Sequence, residues 1–165
     1  MSTGKSQSGD TLSGNQKRLM RSAARLYAVQ ALFQMEHSGQ GADRVVREFL
    51  EHRFGAEVDE GVDMVDGDID MFRRLVDDAV NKQAKIDQMT DRALVARWPI
   101  DRIDPTLRAL FRAGGGELVG GDAPPRAVIS EYVDIAKSFY PEGREAKFVN
   151  AVLDFMAREA RPEAF

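Results

Sequence analysis

The sequence predicts an all-α fold, a single-domain helical bundle of six to seven helices. Three observations predict it. Apolar residues recur every three or four positions over most of the chain, as in Met20, Ala24, Tyr27, Ala31 and Met35, which is the period of a helix with one buried face. No stretch of useful length alternates apolar and polar residues as a half-buried strand does. Gly and Pro clusters cut the periodic stretches into segments with short connections, which favour packed antiparallel neighbours. At 165 residues, the chain is long enough for one domain with a real core.

Residues 1–15 are rich in Ser, Gly, Thr and Gln and read as a disordered tail. The helical domain is then expected over 16–160, with 161–165 as a C-terminal tail. The first helix is expected over about 16–37, with Leu19, Ala23 and Leu26 widening its apolar stripe and Ser38 to Gly41 stopping it. A second, about 43–54, carries Val45, Val46, Phe49 and Leu50 and ends at Gly55. Residues 56–69 are acidic and punctuated by glycine, so they read as a loop. Helical spacing resumes near 70 and continues to Trp98, with a break placed near Asn81 to Lys85 or at Thr90. Pro99 ends that stretch, because the residue before proline is pushed out of the helical region. Asp104 and Pro105 are a cap and a first-turn proline for a helix running to about Val119. Two further helices follow, about 126–139 and 144–159, separated by Pro141-Glu142-Gly143. Pro162 follows the last.

Composition excludes several chemistries. There is no cysteine, hence no disulfide, thiolate metal site or cysteine nucleophile. The polar N-terminus lacks a signal-peptide core, and no run of about 18 apolar residues exists to span a membrane. A cytoplasmic protein is expected. The Gly114 to Gly121 run lacks the Lys-Ser/Thr and the preceding strand of a phosphate loop. Its glycines either allow a close helix crossing or mark a weak, bent segment. Asp66, Asp68 and Asp70 begin with calcium-loop spacing, but Met71 stands where glycine is needed. His37 and His52 form no metal-binding pair, and neither Ser130 nor Ser138 has a histidine nearby in sequence. No catalytic residue, metal or cofactor is expected.

Charge points elsewhere. The net charge is −4, and residues 43–78 hold twelve acids against five arginines. Yet Lys17, Arg18, Arg21 and Arg25 occupy one stretch without an acid. Arg18, Arg21 and Arg25 are three and four apart and so share a helix face, which suits contact with several phosphates. Reading single-stranded RNA also needs stacking planes and polar groups for base edges. Tyr27, Gln30, Phe33, Phe139, Tyr140, Phe148 and Asn150 could supply them if exposed. Tyr27 and Phe148 also lie on apolar stripes, where an aromatic usually serves the core.

Four motifs in order carry a family resemblance. The first is Arg21-Ser-Ala-Ala-Arg25-Leu-Tyr-Ala-Val-Gln-Ala-Leu-Phe33. The second combines Trp98-Pro-Ile-Asp-Arg-Ile103, Leu107-Arg-Ala-Leu-Phe-Arg112 and Glu117-Leu118. The third is Ala123-Pro-Pro-Arg-Ala-Val-Ile-Ser-Glu131. The last and most specific is Ala136-Lys-Ser-Phe139 followed by Lys147-Phe-Val-Asn-Ala-Val-Leu-Asp154. Over roughly residues 17–157 the chain resembles the transcription antitermination factor NusB family. The resemblance implies a non-catalytic helical protein that binds the boxA element of nascent ribosomal RNA transcripts. It does so with the ribosomal protein NusE, within the antitermination complex of RNA polymerase. It places Arg21, Arg25, Phe33, Phe139, Lys147, Phe148 and Asn150 toward RNA, to which this chain adds Arg18 on the basic helix and Gln30 as a polar group for base edges. Leu107, Arg108, Arg112 and Glu117 are placed toward NusE. Homodimers occur in the family, and the sequence leaves that state open. Ser22 and Ala23 stand where many relatives continue the arginine run, which implies fewer phosphate contacts. The competing reading is a free-standing helical protein-interaction adaptor without RNA affinity of its own.

Overall fold

The computed structural model describes residues 13–54, 66–94 and 102–165, and for 66–68 the backbone alone. The expectations for residues 1–12, for most of the acidic loop and for the stop at Pro99 lie outside the described residues. Within them the chain forms seven α-helices: α1 (Gly14–Ser38), α2 (Ala42–Phe49), α3 (Asp66–Asn81), α4 (Gln83–Ala93), α5 (Pro105–Gly120), α6 (Pro125–Phe139) and α7 (Arg144–Ala160). No strand occurs among the described residues.

α1 begins two residues before its expected start. Ser13 accepts a hydrogen bond from the Gln16 amide at 3.0 Å while the Gln16 side chain accepts from the Ser13 amide at 2.8 Å. This reciprocal Ser-x-x-Gln box satisfies two otherwise orphaned donors. At its other end Gly39 adopts φ 73° and donates to the Met35 carbonyl, a left-handed stop that glycine takes without strain. The break in the expected 70–98 helix falls at Lys82 (φ −114°, ψ 18°). Asp104 caps α5 through the Thr106 amide at 2.8 Å, with Pro105 in the first turn.

α2 passes into a π-helical turn over Leu50–Phe54. Residues five apart align on a π-turn and diverge on an α-helix. The wider turn therefore directs Phe49 and Phe54 inward together. Phe54 meets Tyr27 edge-on at 5.1 Å and Phe72 at 5.2 Å, and Phe49 stacks on Phe72 at 5.8 Å. Tyr27 is thus a core residue.

α5 is the central helix, packed against α1, α3, α4, α6 and α7. Its burial runs nearly all round, from Leu107 through Ala109, Leu110, Phe111 and Ala113 to Leu118, as expected of a helix enclosed by others, with Arg108 and Arg112 on a partly open edge. Gly114, Gly115 and Gly116 lie inside it and are buried. A Cβ on Gly116 would lie 3.2 Å from the Ala79 backbone nitrogen, and one on Gly115 would lie 2.6 Å from Ile86 Cγ2. Of the two readings of this run, close helix crossing is the one realised, and the helix stays continuous.

Residues after Ala160 are tied down where a tail was expected. Arg161 donates to the carbonyls of Leu118 (2.8 Å), Ala123 (2.6 Å), Glu117 (3.1 Å) and Gly121. One guanidinium so caps the C-terminal end of α5 and the turn that follows it. Phe165 lies under the guanidinium of Arg158, 4.5 Å from Cζ to the ring centroid. Arg161→Ala is expected to cost about 1.5 kcal/mol, the low end for bonds made by a charged donor because this one is half-buried. Urea unfolding checks it, and an unchanged midpoint would refute the clamp.

Candidate nucleic-acid interface

The first turns of α1 present Lys17, Arg18 and Arg21 to solvent, and none of the three makes an ion pair among the described residues. Arg25 does not join them, which corrects the expectation of a shared phosphate-binding face. It is 6% exposed. Its Nη2 and Nε donate to the Glu117 carboxylate at 2.7 and 2.9 Å, and Nη1 donates to Glu131 at 3.3 Å. Ser22 adds a 2.6 Å bond to Glu131, and the Tyr132 hydroxyl donates to Glu117 at 3.1 Å. Burial opposes the Arg25 charge, but the hydrogen bond and attraction of Glu117, with Tyr132 and Glu131 behind them, outweigh it and raise its pKa. The Tyr132 hydroxyl is pushed well above its ordinary value, first by burial and then by the Glu117 charge. Tertiary packing separates Arg25 from Arg21. At Arg25, α1 is already covered by α5 and α6, whereas Arg21 lies one turn nearer the open end.

Further along α1, Gln30 and Phe33 meet Phe139 from the end of α6 in an open cleft of about 450 Å³, within the ~300–1,000 Å³ range of small-ligand clefts. Three of the residues expected to face RNA therefore converge, although Phe139 is far from the others in sequence. Phe33 stacks on His37 at 4.4 Å and 25°. Thr106, Phe49 and Arg53 complete much of the wall, and among the described residues no Asp or Glu lines it. Among the described residues, Gln30 Oε1 is the one buried side-chain nitrogen or oxygen without a hydrogen-bond partner. An unsatisfied buried acceptor costs roughly 1–3 kcal/mol. A carboxamide carries both the donor and the acceptor that a base edge requires, and Gln30 would offer its oxygen to one by turning it out of the wall.

Phe148 belongs to a second cleft, of about 700 Å³, with Ile103, Asp104, Leu107, Tyr140 and Arg144. Its ring meets Phe111 edge-on at 5.9 Å. The two clefts flank the N-terminus of α5, with Thr106 and Phe139 in the first and their sequence neighbours Leu107 and Tyr140 in the second. The Tyr140 hydroxyl donates to Asp104 at 2.6 Å, and its pKa is raised by burial and then by that bond. Lys147 and Asn150 are exposed on the other side of α7. Asn150 lines a groove with Ser130, Asp134 and Lys137, apart from Phe148. The second expected RNA-facing region is thus divided between three surfaces.

The residues expected to meet a protein partner are also divided. Leu107 is 8% exposed yet borders the second cleft. Arg108 is ion-paired with Glu36 and donates to the Ile103 carbonyl at 3.1 Å. Arg112 grips Asp87 at 3.0 and 2.9 Å and Glu36 at 3.0 Å. The hydrogen bond from Arg108 leads the effects that hold the Glu36 carboxyl below its ordinary range. Glu117 is 4% exposed and spent on Arg25, so it presents nothing to a partner, a second correction. Its carboxylate is the counter-charge that burial of Arg25 demands.

Sequence reasoning missed His37, Thr106 and Arg53. His37 follows Phe33 by four residues and was legible as its helical neighbour. Nothing local marks Thr106 or Arg53, which reach the cleft through tertiary packing.

A family model described as the NusB family matches residues 22–158. The transcription antitermination protein NusB of Maricaulis maris (strain MCS10) is 49% identical over 159 residues, covering 96% of this chain and 98% of that protein. The structure of T. maritima NusB superposes with a TM-score of 0.72 at 28% identity, covering 88% of this chain and 96% of that one. A crystal structure of antitermination factors NusB and NusE in complex with dsRNA contains a chain that matches with a TM-score of 0.70. That chain is 25% identical, and the match covers 85% of this chain and 97% of that one.

Proposed function

The chain belongs to the NusB family, and from that premise we propose how it performs transcription antitermination: it binds boxA RNA of nascent ribosomal RNA transcripts together with the ribosomal protein NusE. The observation that carries the site is the aromatic cleft of Gln30, Phe33 and Phe139, lined by no acid among the described residues, against the helix that bears Lys17, Arg18 and Arg21. The exposed cations supply phosphate contacts, which position a strand without reading it. Unstacked bases are read by aromatic planes and by amide groups at their edges, which the cleft provides. Phe148, beside Leu107 in the second cleft, extends the same side of the molecule toward the N-terminus of α5. Arg108 and Arg112 shape the partner surface as ion-paired groups. The mechanism calls for no catalytic group. It operates where RNA polymerase transcribes, in the cytoplasm. Among the described residues no helix is long and apolar enough to cross a membrane.

The test is a fluorescence titration of a boxA-like RNA and a scrambled control, with and without the NusE-type protein, at two salt concentrations. Preference for boxA that tightens with the partner supports the reading. Equal, weak, salt-sensitive binding to both RNAs, with no response to the partner, would leave the adaptor reading in its place. Arg21→Ala is expected to weaken RNA binding and flatten the log–log salt dependence by about 0.7, the share of one neutralised phosphate on a single strand. Its melting temperature should not move, because Arg21 is exposed and makes no ion pair among the described residues. An unchanged salt slope would remove Arg21 from the interface.

A further inference from the structure

We propose that Arg53 binds a backbone phosphate of the RNA whose base enters the cleft at Phe33, His37 and Phe139, so that the cleft takes one whole nucleotide. The inference rests on the RNA-binding reading above and assigns a residue from outside α1, α6 and α7. Four observations carry it. Arg53 is exposed and lines the cleft, and it makes no ion pair among the described residues. Its guanidinium is placed by the Phe49 ring, with Cζ 5.4 Å from the centroid, a cation–π contact that leaves the N–H donors available. It sits in the π-turn that buried Phe54 anchors, and such turns recur at functional sites. Among the described residues, finally, the cleft wall carries no carboxylate, in a chain of net charge −4.

The occupant follows from that chemistry. Stacked Phe33 and His37 with Phe139 offer planes to an aromatic ring, and a guanidinium at the wall offers paired donors to a phosphate. A ring and a phosphate on one ligand make a nucleotide. Sharing the strand with Lys17, Arg18 and Arg21 is geometrically natural. Arg18, Phe33 and His37 all lie on α1, and the rise from residue 18 to residue 37 is about 28 Å.

The experiment titrates boxA-like RNA against the full chain with the NusE-type protein present, comparing wild type, Arg53→Gln and Arg53→Lys across salt. A second RNA series carries one neutral methylphosphonate at successive positions. Arg53→Gln is expected to bind more weakly, with a slope shallower by about 0.7, so the wild-type advantage shrinks about 2.6-fold between roughly 50 and 200 mM salt. Arg53→Lys keeps the wild-type slope. One methylphosphonate position weakens the wild type while leaving Arg53→Gln indifferent. Thermal melting of each variant separates a folding defect from a missing phosphate interaction. Wild-type binding that Arg53→Gln reproduces in affinity and slope would overturn this assignment while leaving the RNA-binding reading intact. A wild type without boxA preference would overturn both. Loss of affinity for the NusE-type protein alone, with RNA binding unchanged, would give the cleft to the protein partner instead.

Discussion

Arg25→Ala is expected to lower the free energy of unfolding by about 3–5 kcal/mol, the cost of leaving a buried charge without its partner. Arg25 is 6% exposed and Glu117 4%. Once Arg25 is gone, Glu117 keeps only the Tyr132 hydroxyl at 3.1 Å, one neutral donor against a full negative charge. Glu131, half-buried, loses its 3.3 Å ion pair as well and retains Ser22. Urea unfolding at neutral pH measures the loss. The triple variant Arg25→Met, Glu117→Leu and Tyr132→Phe should recover most of it, because apolar groups of similar volume often replace a buried network at little cost, and removing the Tyr132 hydroxyl avoids leaving its donor unpaired. A single variant within about 1 kcal/mol of wild type would show that the pair is not desolvated as described. The contrast with Arg21 matters for function. Both substitutions can reduce RNA binding, Arg21→Ala by leaving one phosphate unneutralised and Arg25→Ala through damaged helix packing. Only the second should move the unfolding curve.

Gly115→Val should destabilise by about 3 kcal/mol, the upper end of overpacking costs. Even the alanine Cβ would lie 2.6 Å from Ile86 Cγ2 and 2.8 Å from Met156 Cε. The methionine end can swing away, but Ile86 is β-branched, fully buried and stiff at χ1. Replacing a helical glycine by alanine returns about 1 kcal/mol in propensity and by valine less than that, and the clash exceeds either. Gly114→Ala is the internal control. Its Cβ would lie 3.2 Å from Leu153 Cδ2 and 3.4 Å from the Tyr132 ring, distances that small side-chain shifts relieve. The propensity gain should roughly balance the crowding there. Thermal or urea unfolding of both variants beside the wild type tests the ranking, and Gly115→Val as stable as Gly114→Ala would sink the close-crossing account.

Much of the fold is legible because its signal is local. Periodic apolar residues place the helices, and Asp104-Pro105 marks the start of α5 to the residue. The Ser13-Gln16 box is equally local, and it starts α1 two residues ahead of where the apolar stripe alone points. The π-turn at Leu50–Phe54 is not readable, since Phe54 turns inward only because Tyr27 and Phe72 form a pocket for it.

The candidate interface divides in the same way. Motif resemblance names Phe33 and Phe139, residue chemistry names Gln30, and packing of the end of α6 beside α1 and the N-terminus of α5 brings them into one cleft. Arg21 and Arg25 carry identical sequence signals, two arginines one helical turn apart. Their separation into surface and core depends on Glu117, 92 residues further on. The sequence by itself determined the helical architecture, the basic first turns of α1 and the membership that the motifs announced. Tertiary structure alone decided which charges are desolvated and which side chains share a cleft. Helical periodicity is a property of one segment, whereas the cost of burying a charge is set by whatever the facing helices offer it.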